Sequence, residues 1–228
     1  MAGRLGRALV AALLCTGLVA CSDDGKDPGS DESQSGSTGG SASPTDSLLV
    51  PEGVELTPGG SALDVGETAT VAYEVRQDVV GVLDITVSRL ERTSFEESFV
   101  GWDLDAEVKT GKPYFVRATV TNRGATDLAG RPVPLYIVDG TDTLVEATSF
   151  SSRFKPCEPG SFPEPFPAGA TVETCLVFLA PDKGDLTAVS FRPTQEYDPI
   201  TWTGDLQKPK PPEPEKKDKG KGKNKNRG

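Results

Sequence analysis

The most constraining feature of the sequence is a stretch in which apolar and polar side chains alternate, residues 114–121. Tyr114, Val116, Ala118 and Val120 occupy one set of alternate positions, and Arg117, Thr119 and Thr121 occupy the other. Successive side chains of a strand point to opposite faces of a sheet, so this pattern predicts a strand with one buried face. The stretch runs into Asn122-Arg-Gly124, a turn sequence. The sequence therefore predicts half-buried antiparallel strands.

Comparable patterns occur along the rest of the central region. Further strands are predicted at residues 69–75, 83–87, 135–138, 144–147, 171–179, 186–191 and 199–203. Asp139-Gly140 predicts a hairpin between the third and fourth of these. Residues 171–179 are apolar on both faces in their second half, which predicts a central strand, and residues 199–203 are expected to form the last edge strand. No amphipathic helix of about three turns is recognisable, so we expect an antiparallel β-sandwich of about seven to nine strands.

The start of the chain has the features of an export signal. Arg4 and Arg7 precede an apolar stretch, residues 8–19. As a helix this stretch would be about 18 Å long, which is too short for the roughly 30 Å hydrocarbon core of a membrane. A positive start followed by a short apolar segment is typical of a cleaved signal peptide.

The end of this segment, Leu18-Val19-Ala20-Cys21, resembles the bacterial lipobox, in which the cysteine carries a diacylglycerol. The resemblance implies that residues 1–20 are removed and that Cys21 anchors the protein in the cell membrane, on its extracytoplasmic face. The alternative is an ordinary secretory signal with a chance cysteine. It is disfavoured because a polar run begins immediately after Cys21.

Composition and charge divide the remaining chain into three parts. Residues 21–47 are a tether rich in serine, glycine and aspartate, with too little apolar surface to fold. Residues 48–207 form the predicted sandwich, and positions 51–207 hold 25 acidic and 12 basic residues, a net charge of −13. An acidic domain is a poor partner for nucleic acid. Residues 208–228 are a tail with nine basic and three acidic residues.

Two interpretations of this basic tail remain open. It could only keep the protein soluble, or it could attach to anionic lipid headgroups or to an anionic polymer of the cell envelope. Each lysine near a charged membrane surface contributes about 1 kcal/mol to such attachment.

The sequence disfavours catalysis, because the chain contains no histidine. Ser-His-Asp and Cys-His sites cannot be built, and the commonest transition-metal ligand is missing.

Asp103, Asp105 and Glu107 would share a face if they lay on a strand, and could then hold a hard cation such as Ca²⁺. A solvated acidic edge is the favoured interpretation, since the pattern lacks the glycine and glutamate of an EF-hand. Asp103 and Glu107 as a glycosidase pair is a weaker hypothesis. No cofactor is expected.

Two cysteines remain after Cys21, and we expect Cys157 and Cys175 to form a disulfide, as close cysteines outside the cytoplasm commonly do. A redox or metal pair is the alternative, and the 17 residues between them, 158–174, do not match the spacing of such pairs.

Phe95, Phe99 and Trp102 lie in a stretch without alternation. They are a candidate contact patch, although aromatic residues that plug the open end of a sandwich are the favoured interpretation.

Several segments together resemble a known family. They are Leu63-Asp-Val-Gly-Glu67, the stretch from Gly111 to Gly124, Pro167-Ala-Gly169 and Phe178-Leu-Ala-Pro181. They resemble the immunoglobulin-like extracellular domain of surface lipoproteins of Gram-positive bacteria, actinobacteria among them, a domain often mislabelled as a telomeric repeat-binding factor. The chain is also similar to a secreted mycobacterial immunogenic sandwich. The resemblance, over residues 56–202, implies a fold and a location but no activity.

These observations favour a lipid-anchored extracytoplasmic binding or interaction module that recognises a partner through its loops without catalysis. The alternative is a structural envelope tether, held by the lipid at Cys21 and by the basic tail. A carboxylate-based enzyme is the third hypothesis.

Overall fold

The strands of the protein form two β-sheets in a computed structural model that describes residues 50–158 and 160–209. In chain order the strands are β1 (Ala62–Asp64), β2 (Thr68–Arg76), β3 (Val79–Arg92), β4 (Lys112–Asn122), β5 (Tyr136–Asp139), β6 (Leu144–Glu146), β7 (Thr171–Ala180), β8 (Leu186–Phe191), β9 (Ile200–Thr203) and β10 (Leu206–Gln207). Helical structure in this part of the chain is limited to α1 (Phe95–Ser98) and two short 3₁₀ helices, Val108–Thr110 and Pro181–Lys183. The all-β prediction is confirmed. The described residues form ten strands rather than seven to nine, because the pattern did not reveal short segments such as β10.

The first sheet, sheet A, has the order β1-β9-β8-β5-β6. The second, sheet B, has the order β10-β3-β4-β7, with β2 also paired to β3. Most neighbouring strands are antiparallel, and the exceptions are β1 on β9 and β10 on β3. The predicted β5–β6 hairpin is confirmed, with Tyr136 opposite Glu146 and Val138 opposite Leu144.

The main core lies between the two sheets. The alternation predicted for β4 is confirmed, since Tyr114, Val116, Ala118 and Val120 are all buried in this core. From sheet A it receives Ile137, Val189, Phe191, Ile200 and Trp202, all 0% exposed. Burying side chains of this size from both sheets stabilises the face-to-face arrangement by about 1.5–3 kcal/mol for each residue. The architecture is a β-sandwich.

The prediction of a central strand at residues 171–179 is wrong. β7 is the last strand in the order of sheet B, paired with β4. Its second half is apolar on both faces because a second hydrophobic cluster covers the outer face. We call this the outer cluster, and its buried members are Phe99, Phe115, Phe154, Cys157, Cys175 and Val177.

The prediction of a last edge strand at residues 199–203 is also wrong. β9 lies inside sheet A, between β1 and β8. The pairing with β1 is parallel, with Leu63 opposite Trp202, so it joins residues far apart in the sequence. Local patterns do not show pairings of this kind.

Candidate functional site

A groove opens at one end of the sandwich. It is lined by residues 73–77, residues 131–136, the segment at the end of β6 and residues 193–194, and its volume is about 700 Å³. These segments meet because Tyr136, at the start of β5, lies opposite Glu146 of β6 and Ser190 of β8. The volume falls in the range of roughly 300–1,000 Å³ that is typical of pockets for small molecules. We therefore take this groove as the candidate functional site.

Tyr73 is the most distinctive residue of the groove. Its hydroxyl is buried and has no hydrogen-bond partner among the residues that the structure describes. Burial raises the pKa of Tyr73 to about 12, against a smaller lowering by the charge of Arg131. The side chain is therefore neutral at physiological pH, and it keeps a proton that it can donate.

The ring of Tyr73 is positioned by its neighbours. It meets Phe191 edge-on, with the ring centroids 6.3 Å apart and the planes at 80°. Gly81 lies beneath the ring on β3, and a Cβ atom there would come within 3.0 Å of Tyr73 Cε1 and 2.9 Å of Val75 Cγ2. Such contacts are shorter than carbon atoms tolerate, so a glycine at this position lets the ring lie against the sheet.

Arg131 is the second polar residue of interest. Its backbone is held on both sides, since its N–H donates to Leu128 O at 3.1 Å and its carbonyl accepts from Phe162 N at 2.8 Å. Within the described ranges, neither Arg131 nor Arg76 forms an ion pair, and both line the groove. Two such arginines are notable in a region where acidic residues outnumber basic ones by 25 to 12.

A smaller cavity of about 250 Å³ adjoins the groove and shares Pro132, Val133, Ala147 and Ser149 with it. It extends the groove towards Phe150 and Leu176. The concave surface therefore continues past the groove, along the segment that comes after β6.

The predicted disulfide is present. Cys157 and Cys175 are bonded, with their Cα atoms 5.3 Å apart. Both side chains are buried in the outer cluster, at 2% and 6% exposure. The bond fastens the loop before β7 onto the outer face of sheet B, and we assign it a structural role.

Phe95, Phe99 and Trp102 come together in the outer cluster. Phe99 packs on Phe154 with the ring centroids 4.7 Å apart, and Trp102 packs edge-on against Phe150 at 5.0 Å. The cluster covers the outer face of sheet B. The interpretation favoured from the sequence was a plug at an open end of the sandwich, so the residues do pack together but at a different place. Phe99 is only 4% exposed and offers little surface to a partner. A contact role for the half-buried Phe95 and Trp102 stays a prediction.

Asp103, Asp105 and Glu107 do not lie on a strand. They are exposed, in a loop and turn that lead to the 3₁₀ helix Val108–Thr110. The three carboxylates therefore do not share one face of a strand, which the Ca²⁺ hypothesis required. In the described part of the chain, no group of three or more potential ligands could hold a metal ion.

Cys21 and most of the basic tail lie outside the described residues. The start of the tail is held in place, because β10 pairs with β3 and Arg89 Nη2 donates to Lys208 O at 2.8 Å. Over the described ranges, no helix has the length and apolar character needed to cross a membrane.

Tyr73 and Arg131 were not among the site residues predicted from the sequence. Tyr73 is one apolar position in an alternating strand, and its pattern gives no sign that the hydroxyl lacks a partner. Arg131 lies next to Pro132 in an irregular segment, and only the fold brings it to the groove. The one sequence signal near Arg131 was the pair Pro132 and Pro134, which indicates that the residues around them are extended.

Comparisons with known proteins give little further guidance. No family model matches the chain, and no curated protein matches it. Among solved structures, the chain is similar to MPT63, a secreted protein from Mycobacterium tuberculosis, with 14% sequence identity and a TM-score of 0.41. The match covers 65% of this chain and 98% of that one. A similarity at this level carries no argument about function, and the resemblance to a lipoprotein family stays a prediction.

Proposed function

We propose that the protein is a binding module on the extracytoplasmic face of the cell membrane, anchored by lipid at Cys21, and that the groove is its recognition site. The observation that carries the proposal is a groove of about 700 Å³ lined by a buried hydroxyl without a hydrogen-bond partner and by two arginines without an ion-pair partner among the described residues. Small-molecule sites have this composition, with mostly apolar walls and a few polar groups that orient the ligand. The proposed mechanism is recognition without bond chemistry.

The location is supported by the N-terminal sequence and by the disulfide. A lipobox-like segment ends at Cys21, and a Cys157–Cys175 bond suits an oxidising compartment. Cys21→Ser is expected to abolish lipid labelling and to move the protein out of the detergent phase on phase separation. Continued partitioning of this variant into detergent would contradict the anchor.

The groove itself is tested with a fragment library that contains anionic, neutral and cationic compounds. The protein is the full chain carrying Cys21→Ser, because detergent would otherwise compete for the site. We expect chemical-shift changes that concentrate on Tyr73, Arg131 and their neighbours. Ser149→Trp should reduce them, since Ser149 is exposed and lines both cavities. Thr203→Trp, at an exposed position outside the groove, is the matched control. Shifts scattered over the surface would overturn the proposal.

A second candidate function is that of a structural tether, in which the basic tail holds an anionic lipid or polymer surface. It is favoured by the way β10 and Arg89 fasten the first residues of the tail to sheet B. Truncation after Pro209 keeps these contacts and removes eight of the nine basic residues of positions 208–228. We expect the truncated protein to lose binding to anionic vesicles at low salt, and added salt to weaken binding of the full chain. Unchanged binding after truncation would exclude this role.

A further inference from the structure

We infer that the groove takes an organic anion with an apolar body, and that Tyr73 and Arg131 bind its anionic group. This inference rests on the proposed function, because it assigns a ligand class to the same groove.

The Tyr73 hydroxyl supplies a donor that no described residue uses. It is buried without a partner among the described residues, and a buried polar group left in this state carries a cost in free energy. The oxygen is covered, so a small shift of the groove wall would let a ligand acceptor reach it and recover that cost. A carboxylate or phosphate oxygen is the acceptor that gains most, since hydrogen bonds to charged groups are about twice as strong as neutral ones.

Arg131 supplies the positive charge. It lines the same groove as Tyr73, and its charge lowers the pKa of that tyrosine, against the larger effect of burial. Its guanidinium has no ion-pair partner in the part of the chain that the structure describes, and its backbone is held by two hydrogen bonds. The two hydrogen bonds fix the point from which the side chain starts, and a guanidinium fork suits an anion with two oxygens.

The acidic residues of the groove do not counter this arrangement. Glu74 is exposed, and its carboxylate accepts a hydrogen bond from Asp78 N at 3.0 Å, in the turn after β2. Glu146 is exposed at the end of β6. Water and salt screen charges at such positions, whereas the half-buried Tyr73 and Arg131 are screened less.

The walls specify the rest of the ligand. Val133 and Leu135 line the groove but offer little surface, at 6% and 2% exposure, whereas Val75 is only half-buried. Pro132, Pro134 and Pro193 also line the groove. Surfaces of this kind bind apolar groups by removing them from water, so an anion without an apolar body would use only part of the site.

The test compares four probes on the full chain carrying Cys21→Ser: decanoate, decanol, decylamine and inorganic phosphate. Binding is measured by calorimetry and located by chemical-shift changes. We expect decanoate to bind about tenfold or more tightly than decanol, because one charge-assisted hydrogen bond is worth about 1.5–3 kcal/mol. Inorganic phosphate should bind weakly, and decylamine should be the weakest of the chain-bearing probes.

Variants then separate the two polar contributions. Tyr73→Phe keeps the ring and removes only the hydroxyl, while Arg131→Gln removes the charge. Each should weaken decanoate binding by about tenfold and leave decanol binding unchanged. Arg123→Gln is the matched control, because Arg123 is exposed, lies outside the groove and pairs with Asp84. Thermal unfolding of each variant checks that it is folded.

Outcomes other than the expected ones overturn the inference. Equal binding of decanoate and decanol, tighter binding of decylamine, or decanoate binding that both variants leave unchanged would show that the groove does not select an organic anion. If none of the four probes shifts groove residues while other fragments do, the ligand class is wrong and the groove remains a binding site. If fragments of every class also fail, the proposed function fails with it.

Discussion

Glu91 of β3 and Arg117 of β4 form an ion pair across the two strands, with Glu91 Oε1 2.9 Å from Arg117 Nε. The Glu91 side chain is fully buried and also accepts from Arg89 Nε at 2.7 Å. The pair lies on the outer face of sheet B, close to the outer cluster, since Glu91 is opposite Phe115. A carboxylate at this position stays buried because two guanidinium groups neutralise it.

Glu91→Gln should therefore destabilise the fold, since it leaves two guanidinium groups without their carboxylate. Breaking a fully buried pair costs about 3–5 kcal/mol. The two arginines are 33% and 24% exposed, so we expect a smaller loss, about 1–3 kcal/mol in the free energy of unfolding. Urea denaturation measures it. Glu158→Gln is the control, because the side chains of the Arg153–Glu158 pair are 60% and 52% exposed. This variant should lower the free energy of unfolding by no more than about 0.5 kcal/mol. Equal losses would contradict the assignment.

Removing the disulfide should also destabilise the protein. The bond joins residues 18 positions apart, and closing a loop of this length contributes about 3 kcal/mol in the chain-entropy model. The double variant Cys157→Ala, Cys175→Ala is expected to lose about this amount in urea denaturation. Reduced wild-type protein should unfold at nearly the same denaturant concentration as the variant. A variant as stable as the oxidised protein would show that the bond does not constrain the chain.

Tyr73 should produce a late step in an alkaline titration. Burial raises its pKa to about 12 from 10.0, so the folded protein holds this proton more tightly than the unfolded chain does. The stabilisation is present below pH 10 and is lost as pH rises through about 12. Absorbance of tyrosinate in wild-type protein and in Tyr73→Phe isolates the step. The comparison is needed because burial also raises the pKa of Tyr114. The same titration curve for both proteins would contradict the burial of the hydroxyl.

Asp139 should contribute stability that acid removes. Its Oδ1 accepts from Thr143 N at 2.9 Å, Thr141 Oγ1 at 2.7 Å and Thr141 N at 2.8 Å. The hydrogen bond from the Thr143 backbone, with those from Thr141, lowers the pKa of Asp139 below 3.8. The stabilisation is therefore present above pH 3.8 and lost as pH falls through the lower folded value.

The measurement for Asp139 is urea unfolding at a series of pH values from neutral to acid. Asp139→Asn should be less stable than wild type at neutral pH, and the difference should shrink as pH falls. Asp142→Asn, an exposed position in the same turn, is the control. A difference that is the same at every pH would show that the carboxylate charge does not matter.

Local patterns in the sequence were enough to predict eight of the ten strands in the described residues, and the hairpin between two of them. Alternation in residues 114–121 identified the buried face of β4, because the period of two is a property of the strand itself. Asp139-Gly140 predicted the β5–β6 hairpin, since turn residues act over only a few positions. Cys157 and Cys175 are close in the chain and were paired correctly.

The role of Asn122 could be predicted only in part from its neighbours in the sequence. The sequence predicts a turn at this residue, and β4 does end there. The structure adds that its side chain is 0% exposed and donates to Phe166 O at 2.9 Å. A buried amide needs partners, and this one lies 44 positions further along the chain. The residue therefore joins two loops as well as ending a strand.

What the sequence by itself determined is the class of the fold, because periodicity, turn residues and nearby cysteines depend on neighbours along the chain. The tertiary structure alone decided the order of the strands, the second apolar face of β7 and the groove. Tyr73 and Arg131 are 58 positions apart, and both line the groove because the end of β2 meets residues 131–136. Burial and electrostatic interaction depend on distance in space, which folding sets and a local pattern does not contain.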